Sequence, residues 1–407
     1  MSVAAAVDDG RRRETAILIG LVVAYVTLDV ALALTGRFTF IAKTAVIPVL
    51  VLVALRLGRL AAFVSEWAVF VAAVILFDCC RGLVYALTLA FDLPIHATYA
   101  ARADEALFGG TSLPVLLQAR LFQPPVIGPF EKALTVVHGS HFLFFLLVGV
   151  AVWLLRREEF WRFRRAIMLL MAGGLAIYFA VPTVPPWMAA RLHVIGPIRH
   201  ITAEIYNVAV PTLQSTLDVN PVAAMPSLHT AFPALCAFIA LHHFGRRAAL
   251  LPVYALVMMF AIAYLGEHYL VDIVAGVALA AAVYVVVYRT DLLPAPAPPK
   301  PGRAPWVRSA TIAMVLVALS EAVGQVSMHY RHHLLVDPAF VRREMVGRSD
   351  HVHLALGRWA LRRGDVDGGA RELRLALDEL RDPAERAGVE AMLAHPRDVV
   401  LVGDDVP

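Results

Sequence analysis

The chemistry this sequence offers is carried by His229 in Ala224-Met-Pro-Ser-Leu-His-Thr230, and by His268 with Asp272 in Gly266-Glu-His-Tyr-Leu-Val-Asp-Ile273. His268 and Asp272 stand four apart, so on a helix they share a face, and the carboxylate can accept a hydrogen bond from one ring nitrogen. The other nitrogen is then basic and aimed, as a histidine nucleophile or base must be. His229 arrives from a different apolar run and supplies a second acid or base. An orienting carboxylate, a nucleophilic histidine and a proton-donating histidine are the parts of phosphoryl transfer through a phosphohistidine.

Both stretches open long apolar runs, and the chain between them is long enough to cross a bilayer and return. They are therefore expected at one membrane face. The composition agrees: a chain of 407 residues that is 59% hydrophobic, with mean hydropathy +0.70, is not a soluble globule. Apolar runs near the ~20 residues that span a bilayer recur along most of it. The fold class expected is all-α, a polytopic membrane protein of about eight or nine spans with a small soluble helical hairpin at the C-terminus.

The spans are placed at Ala16–Thr35, Thr44–Phe63, Trp67–Phe91, Glu131–Leu155, the run ending at Val181, His229–Phe244, the run ending at Leu265, and His268–Tyr288. Thr311–Ser327 is a ninth, weakened by Glu321. Short interfacial helices are expected at Asp104–Gly110 and Leu113–Gln118. The chain divides into N-terminal spans (1–65), a catalytic membrane domain (66–290), a proline-rich linker (291–307), the last span (308–328) and a soluble tail (329–407). In that tail Leu356-Gly357, Gly364, Gly369 and Ala376-Leu377 fit a single tetratricopeptide-like hairpin. A lone repeat buries its faces poorly, so a protein partner is expected there.

Arg11-Arg12-Arg13 precedes a full-length span with no small-residue cleavage site, so no cleaved signal is read. The net charge of +4 sits in clusters between spans; it reads as topology, not nucleic-acid binding. If every span crosses, Arg11–Arg13, Arg56 with Arg59, Arg156–Arg165, Arg246-Arg247 and Arg289 with Lys300 and Arg303 all fall on one side. The positive-inside rule makes that side cytoplasmic and puts His229 and His268 outside, in the cell membrane. Cys79, Cys80 and Cys236 all lie in apolar spans and offer neither disulfides nor zinc spacing.

A lone His-x-x-x-Asp, or a lone Pro-Ser before a helix, has an ordinary structural explanation. Together, at one face and a helical hairpin apart, they do not, because ionisable groups at a span are expensive. Met225-Pro-Ser-Leu-His229 and Gly266-Glu-His-Tyr-Leu-Val-Asp272, with Val181-Pro-Thr-Val-Pro-Pro-Trp187 upstream, resemble the type-2 phosphatidic acid phosphatase superfamily. Within it the resemblance is closest to the inositolphosphotransferase branch typified by inositol phosphorylceramide synthase, and covers roughly Asp78 to Tyr288. It implies that His268 attacks phosphorus, Asp272 orients it and His229 protonates the leaving alkoxide. It implies a phospholipid or sphingolipid-like substrate and a polyol or lipid hydroxyl as acceptor, with no cofactor and no metal.

The sequence departs from the superfamily where Ala261 and Ile262 replace a Ser-Arg pair, and where a Lys-to-Arg-Pro first motif is not visible. Other groups must then hold the phosphate: Arg191, Arg199, Lys132, and Ser227 with the backbone amides around it. Trp187 is a candidate wall for the head group, and His138 with His141 a candidate contact to it. Asp78 and Arg81 are expected to form an ion pair. A lipid phosphatase is the nearest alternative. A non-catalytic transporter or scaffold is the other, using His229, Glu267, His268 and Asp272 for a metal or proton.

Overall fold

The computed structural model describes residues 58–91, 93–123, 127–192, 194–209, 222–294, 305–336, 352–362, 364–380 and 383–396, with a few single positions before 58. Most of the expected first and second spans, Pro124-Pro125 and residues 295–304 of the proline-rich linker lie outside these residues.

The described residues are helical, and the strand-like pairings among them are the isolated parallel bridges His96–Thr183 and Thr183–Ala223. In order, the helices are α1 (Leu60–Ala90), α2 (Tyr99–Leu107), α3 (Leu113–Leu121), α4 (Pro129–Leu155), α5 (Phe160–Ala180), α6 (Pro186–Arg191) and α7 (Ile201–Ala209). They continue as α8 (Leu228–Phe244), α9 (Leu250–Tyr264), α10 (Leu270–Tyr288), α11 (Pro305–Val336), α12 (Val352–Arg362), α13 (Val366–Glu379) and α14 (Pro383–Ala394).

Among the described residues, five helices are long and apolar enough to cross a membrane: Leu60–Thr88, Arg157–Ala180, Leu228–Ala248, Leu270–Tyr288 and Pro305–Val326. The two halves of α4, which meet at 53°, make a sixth if counted as one span. This points to a multi-pass membrane protein. The expected span ending at Leu265 is α9, whose 15 residues rise only about 22 Å, less than the hydrocarbon thickness.

The helices run between two unlike ends. At one, Glu66 receives the Arg157 guanidinium at 2.7 Å and the Trp153 indole N–H, while Arg164 donates to the Glu66 carbonyl. Arg162 and Arg165 both lie over Trp161, and Arg289 lies over Tyr284. This end is basic and rich in aromatic side chains. At the other end the connecting segments fold over the helix termini. His96, Thr183 and Val222 exchange backbone hydrogen bonds there, from His96 N–H to Pro182 O (2.8 Å), Thr183 N–H to Val222 O (2.8 Å) and Ala224 N–H to Thr183 O (3.1 Å). In the apolar core between, Trp67, Phe70, Phe160, Phe163, Ile167 and Leu235 are almost fully buried.

In the tail, α12 and α13 form a helical hairpin whose core is Leu354, Leu361, Leu373, Ala376 and Leu380, with Val389 of α14 packed on it. The tail is a three-helix unit among the described residues, one helix more than the expected hairpin.

Candidate functional site

The site forms where α8 and α10 begin. Ser227 caps α8, accepting from the Thr230 amide at 3.4 Å, and its own amide donates to the Asp272 carbonyl at 3.0 Å. Gly276 makes that contact sterically feasible: a Cβ there would lie 2.3 Å from the Ser227 carbonyl oxygen. Tyr178 of α5 donates to the Pro226 carbonyl at 2.9 Å, and the Tyr99 hydroxyl reaches the Met225 sulfur at 3.0 Å. The turn before His229 is thus tied to α2, α5 and α10.

The His268 turn is fixed as tightly. Gly266 has φ +86°, and a Cβ there would meet Ile198 at 3.0 Å, so the left-handed turn favours glycine twice over. Asp272 Oδ2 accepts the Tyr269 amide at 3.0 Å, capping α10, and the same oxygen faces His268 Nδ1 at 3.5 Å. Asp272 is fully buried and the side chain of His268 is 5% exposed.

His229 Nδ1 lies 3.0 Å from His268 Nε2. A proton on His268 Nδ1, the nitrogen beside Asp272, would leave Nε2 with the lone pair and let it accept from His229 Nδ1–H. The structure therefore brings together the three residues singled out by sequence, in one chain of contacts: His229, His268, Asp272. His138 and His141 of α4 join them, with rings stacked at 4.6 Å and edge-on at 4.1 Å from His229. His138 Nδ1 also meets the Tyr206 hydroxyl at 3.3 Å, and His141 Nδ1 donates to the His138 carbonyl at 2.7 Å. Burial, with the charge of Glu267, pushes the Tyr206 phenol up to about 12, so it stays a donor at neutral pH.

Trp187 stacks on His200 with ring centroids 4.5 Å apart and planes 4° from parallel, and its amide donates to the Gly266 carbonyl at 3.0 Å. His200 Nε2 in turn lies 3.1 Å from Glu267 Oε1, which also accepts from the Thr202 hydroxyl. Burial alone would raise the Glu267 pKa; the His200 charge and these hydrogen bonds override it and hold the carboxyl at about 2.

The expected phosphate donors fare unequally. Lys132 and Arg191 are exposed, the latter over the Trp187 ring at 5.1 Å. Arg199 is engaged by Glu204 and lies 5.2 Å from the Phe122 ring centre. The Ser227 amide donates to the Asp272 carbonyl, and its hydroxyl is buried against Thr230. Glu267, needed by the metal-site alternative, turns instead to His200 and Thr202. Among the described residues no group of three or more His, Cys, Asp or Glu side chains is arranged to hold a metal ion.

Sequence reasoning missed two residues that position the site. Asp104 of α2 is fully buried and accepts the Leu113 amide at 3.1 Å and the Leu270 amide at 2.9 Å, capping α3 and α10 together. Burial raises its pKa to about 6 against those amides. Gln118 of α3 donates to the carbonyls of Arg199 and Tyr264, both at 2.9 Å, and accepts the Arg199 amide at 2.8 Å. The available signal was weak: Asp104 shares its short helix with Arg102 and Glu105, and Gln118 shares its own with Arg120.

The class this arrangement defines is a membrane-embedded histidine and carboxylate site, and a comparison with known families agrees. Residues 117–286 match the model of the PAP2 superfamily. No curated protein and no solved structure matches the chain. The matched segment holds His138, His141, His229, His268 and Asp272; α1 and α2 precede it. A match to this superfamily supports an enzyme of the lipid phosphatase or phosphotransferase type, acting on a lipid or phosphate-bearing substrate.

Proposed function

We propose that the protein is a lipid phosphotransferase that moves a phosphoinositol-like group through a phosphohistidine at the extracytoplasmic face of the cell membrane. The observation that carries it is the His229–His268 contact at 3.0 Å with Asp272 behind His268. In the first half-reaction His268 Nε2 attacks phosphorus, the bond from phosphorus to the lipid alkoxide breaks, and His229 gives that alkoxide its proton. In the second, His229 takes the proton of an acceptor hydroxyl, whose oxygen attacks phosphorus and releases His268. Asp272 stabilises the imidazolium character that develops on His268. A phosphoryl group entering between the two rings must part them, because 3.0 Å leaves no room for it.

Superfamily resemblance supports phosphoryl chemistry; the branch, and hence transfer over hydrolysis, rests on the likeness of the two motifs. His138 and His141, against His229, are read as head-group contacts, and the Trp187–His200 stack as a wall of the pocket. The tail is read as a tetratricopeptide-like docking module for a protein partner. His268→Ala and Asp272→Ala should each abolish turnover of labelled phosphatidylinositol while the protein still inserts. With candidate acceptors present, a phosphoinositol-bearing product supports transfer. Free inositol phosphate as sole product selects hydrolysis, and full activity of either variant rejects the assignment.

A further inference from the structure

The missing Ser-Arg pair leaves the site short of a cation. Ala261 and Ile262, at those positions, are both fully buried and apolar. Phosphoryl transfer nevertheless needs positive charge where the transferring oxygens become more negative.

Arg81 of α1 meets that need from an unexpected direction. Its guanidinium Nη2 lies 3.1 Å from Asp78 Oδ1, and both side chains are only 14% exposed. Both residues sit within the apolar span Leu60–Thr88. By helix rise Arg81 is roughly 13 Å below the Ala90 end of α1, and His138 is about as far below the Pro129 end of α4. The pair is thus at the depth of the histidine cluster. Its charge acts there too: Arg81 is within electrostatic range of His138, His141, His229 and Tyr178, and Asp78 of His141. Tyr178 is the residue that holds the turn before Ser227.

An ion pair inside a span is expensive, and such pairs mark substrate pathways more often than they add stability. A planar guanidinium fixed by a carboxylate on one edge is a natural receiver of phosphate oxygens. We propose that Arg81, held in place by Asp78, binds the phosphate of the substrate beside His229 and His268. The inference rests on the phosphotransferase reading and supplies the cation which that reading lacks.

The test uses the purified full chain, with orthovanadate as a phosphate-shaped probe and His268→Ala as reference. Replacing both members by leucine, D78L/R81L, removes the charges together, a change that is often neutral for stability at buried pairs. If the pair only held helices together, this variant would keep wild-type turnover. The expected result is an inserted protein whose turnover falls about 100-fold or more, with vanadate inhibition weakened at least about tenfold. Arg81→Lys, which keeps the charge but loses the fork, should fall between the two. Wild-type turnover and vanadate inhibition in both D78L/R81L and R81K, beside an inactive H268A, would overturn the role of Arg81 and leave the histidine mechanism standing. An active H268A would overturn the mechanism and this role with it.

Discussion

Beside His268 stands a carboxylate that does not join the histidine chain. Glu267 is partly buried with His200, 3.1 Å away, and Thr202, and is held at about 2, below the ordinary carboxylate value of 4.5. A depressed folded-state pKa means stability that is present above the unfolded value and lost as pH falls through the folded one. Glu267→Gln should therefore lower the melting temperature at neutral pH, by the equivalent of roughly 1–3 kcal/mol. The gap from wild type should close between about pH 4.5 and pH 2, measured by thermal unfolding in detergent; a gap constant with pH would refute the ionised pairing. The bond joins residues 67 apart, which is why only half of the site was legible. His268 and Asp272 are close in sequence, so sequence paired them, although not on one helix face: His268 lies in the turn before α10 and meets Asp272 where that carboxylate caps the helix; His200 has no periodicity that points it at Glu267.

At the scale of elements, the site depends on how closely the starts of α8 and α10 approach. Gly276→Ala would put a methyl 2.3 Å from the Ser227 carbonyl oxygen, a backbone atom held by its own helix. The helices must part, and His229 moves from His268. A misplacement of about 1 Å can cost roughly 100-fold in rate, so turnover should fall by about that much while expression persists. Gly173→Ala is the control: its Cβ meets the mobile end of Leu279 at 3.1 Å, and activity should stay near wild type. Equal loss in both variants would mean that general packing, not this approach, sets the rate. The helices themselves were readable, since apolar length alone makes a span. Their ends were not: Asp104 and Gln118 bond backbone groups far away in the chain, and a hydrophobic pattern carries no record of such partners.

At the scale of the whole molecule, α11 decides which face the tail meets. Ser309 near its start donates to the Ser65 carbonyl at 2.9 Å, and a Cβ on Gly324 would lie 3.7 Å from the Cys79 sulfur. The two helices therefore run side by side in the same direction, from the basic end toward the end that carries the histidines. Glu321, which weakened the span on sequence, accepts from Gln325 at 2.8 Å, so its charge is partly satisfied within the helix. If α11 crosses, the three tail helices emerge at the face of the active site, a placement suited to docking a partner beside the chemistry. Asp367 is exposed on α13. Asp367→Cys should thus react with a membrane-impermeant maleimide in intact cells. The background should be low, because Cys79 and Cys236 are buried and Cys80 lies in the same apolar span as Cys79. Deleting residues 337–407 should then change acceptor use or partner association and leave the His268-dependent half-reaction in place. Labelling that requires lysis would put the tail with the basic end, and α11 would then not cross.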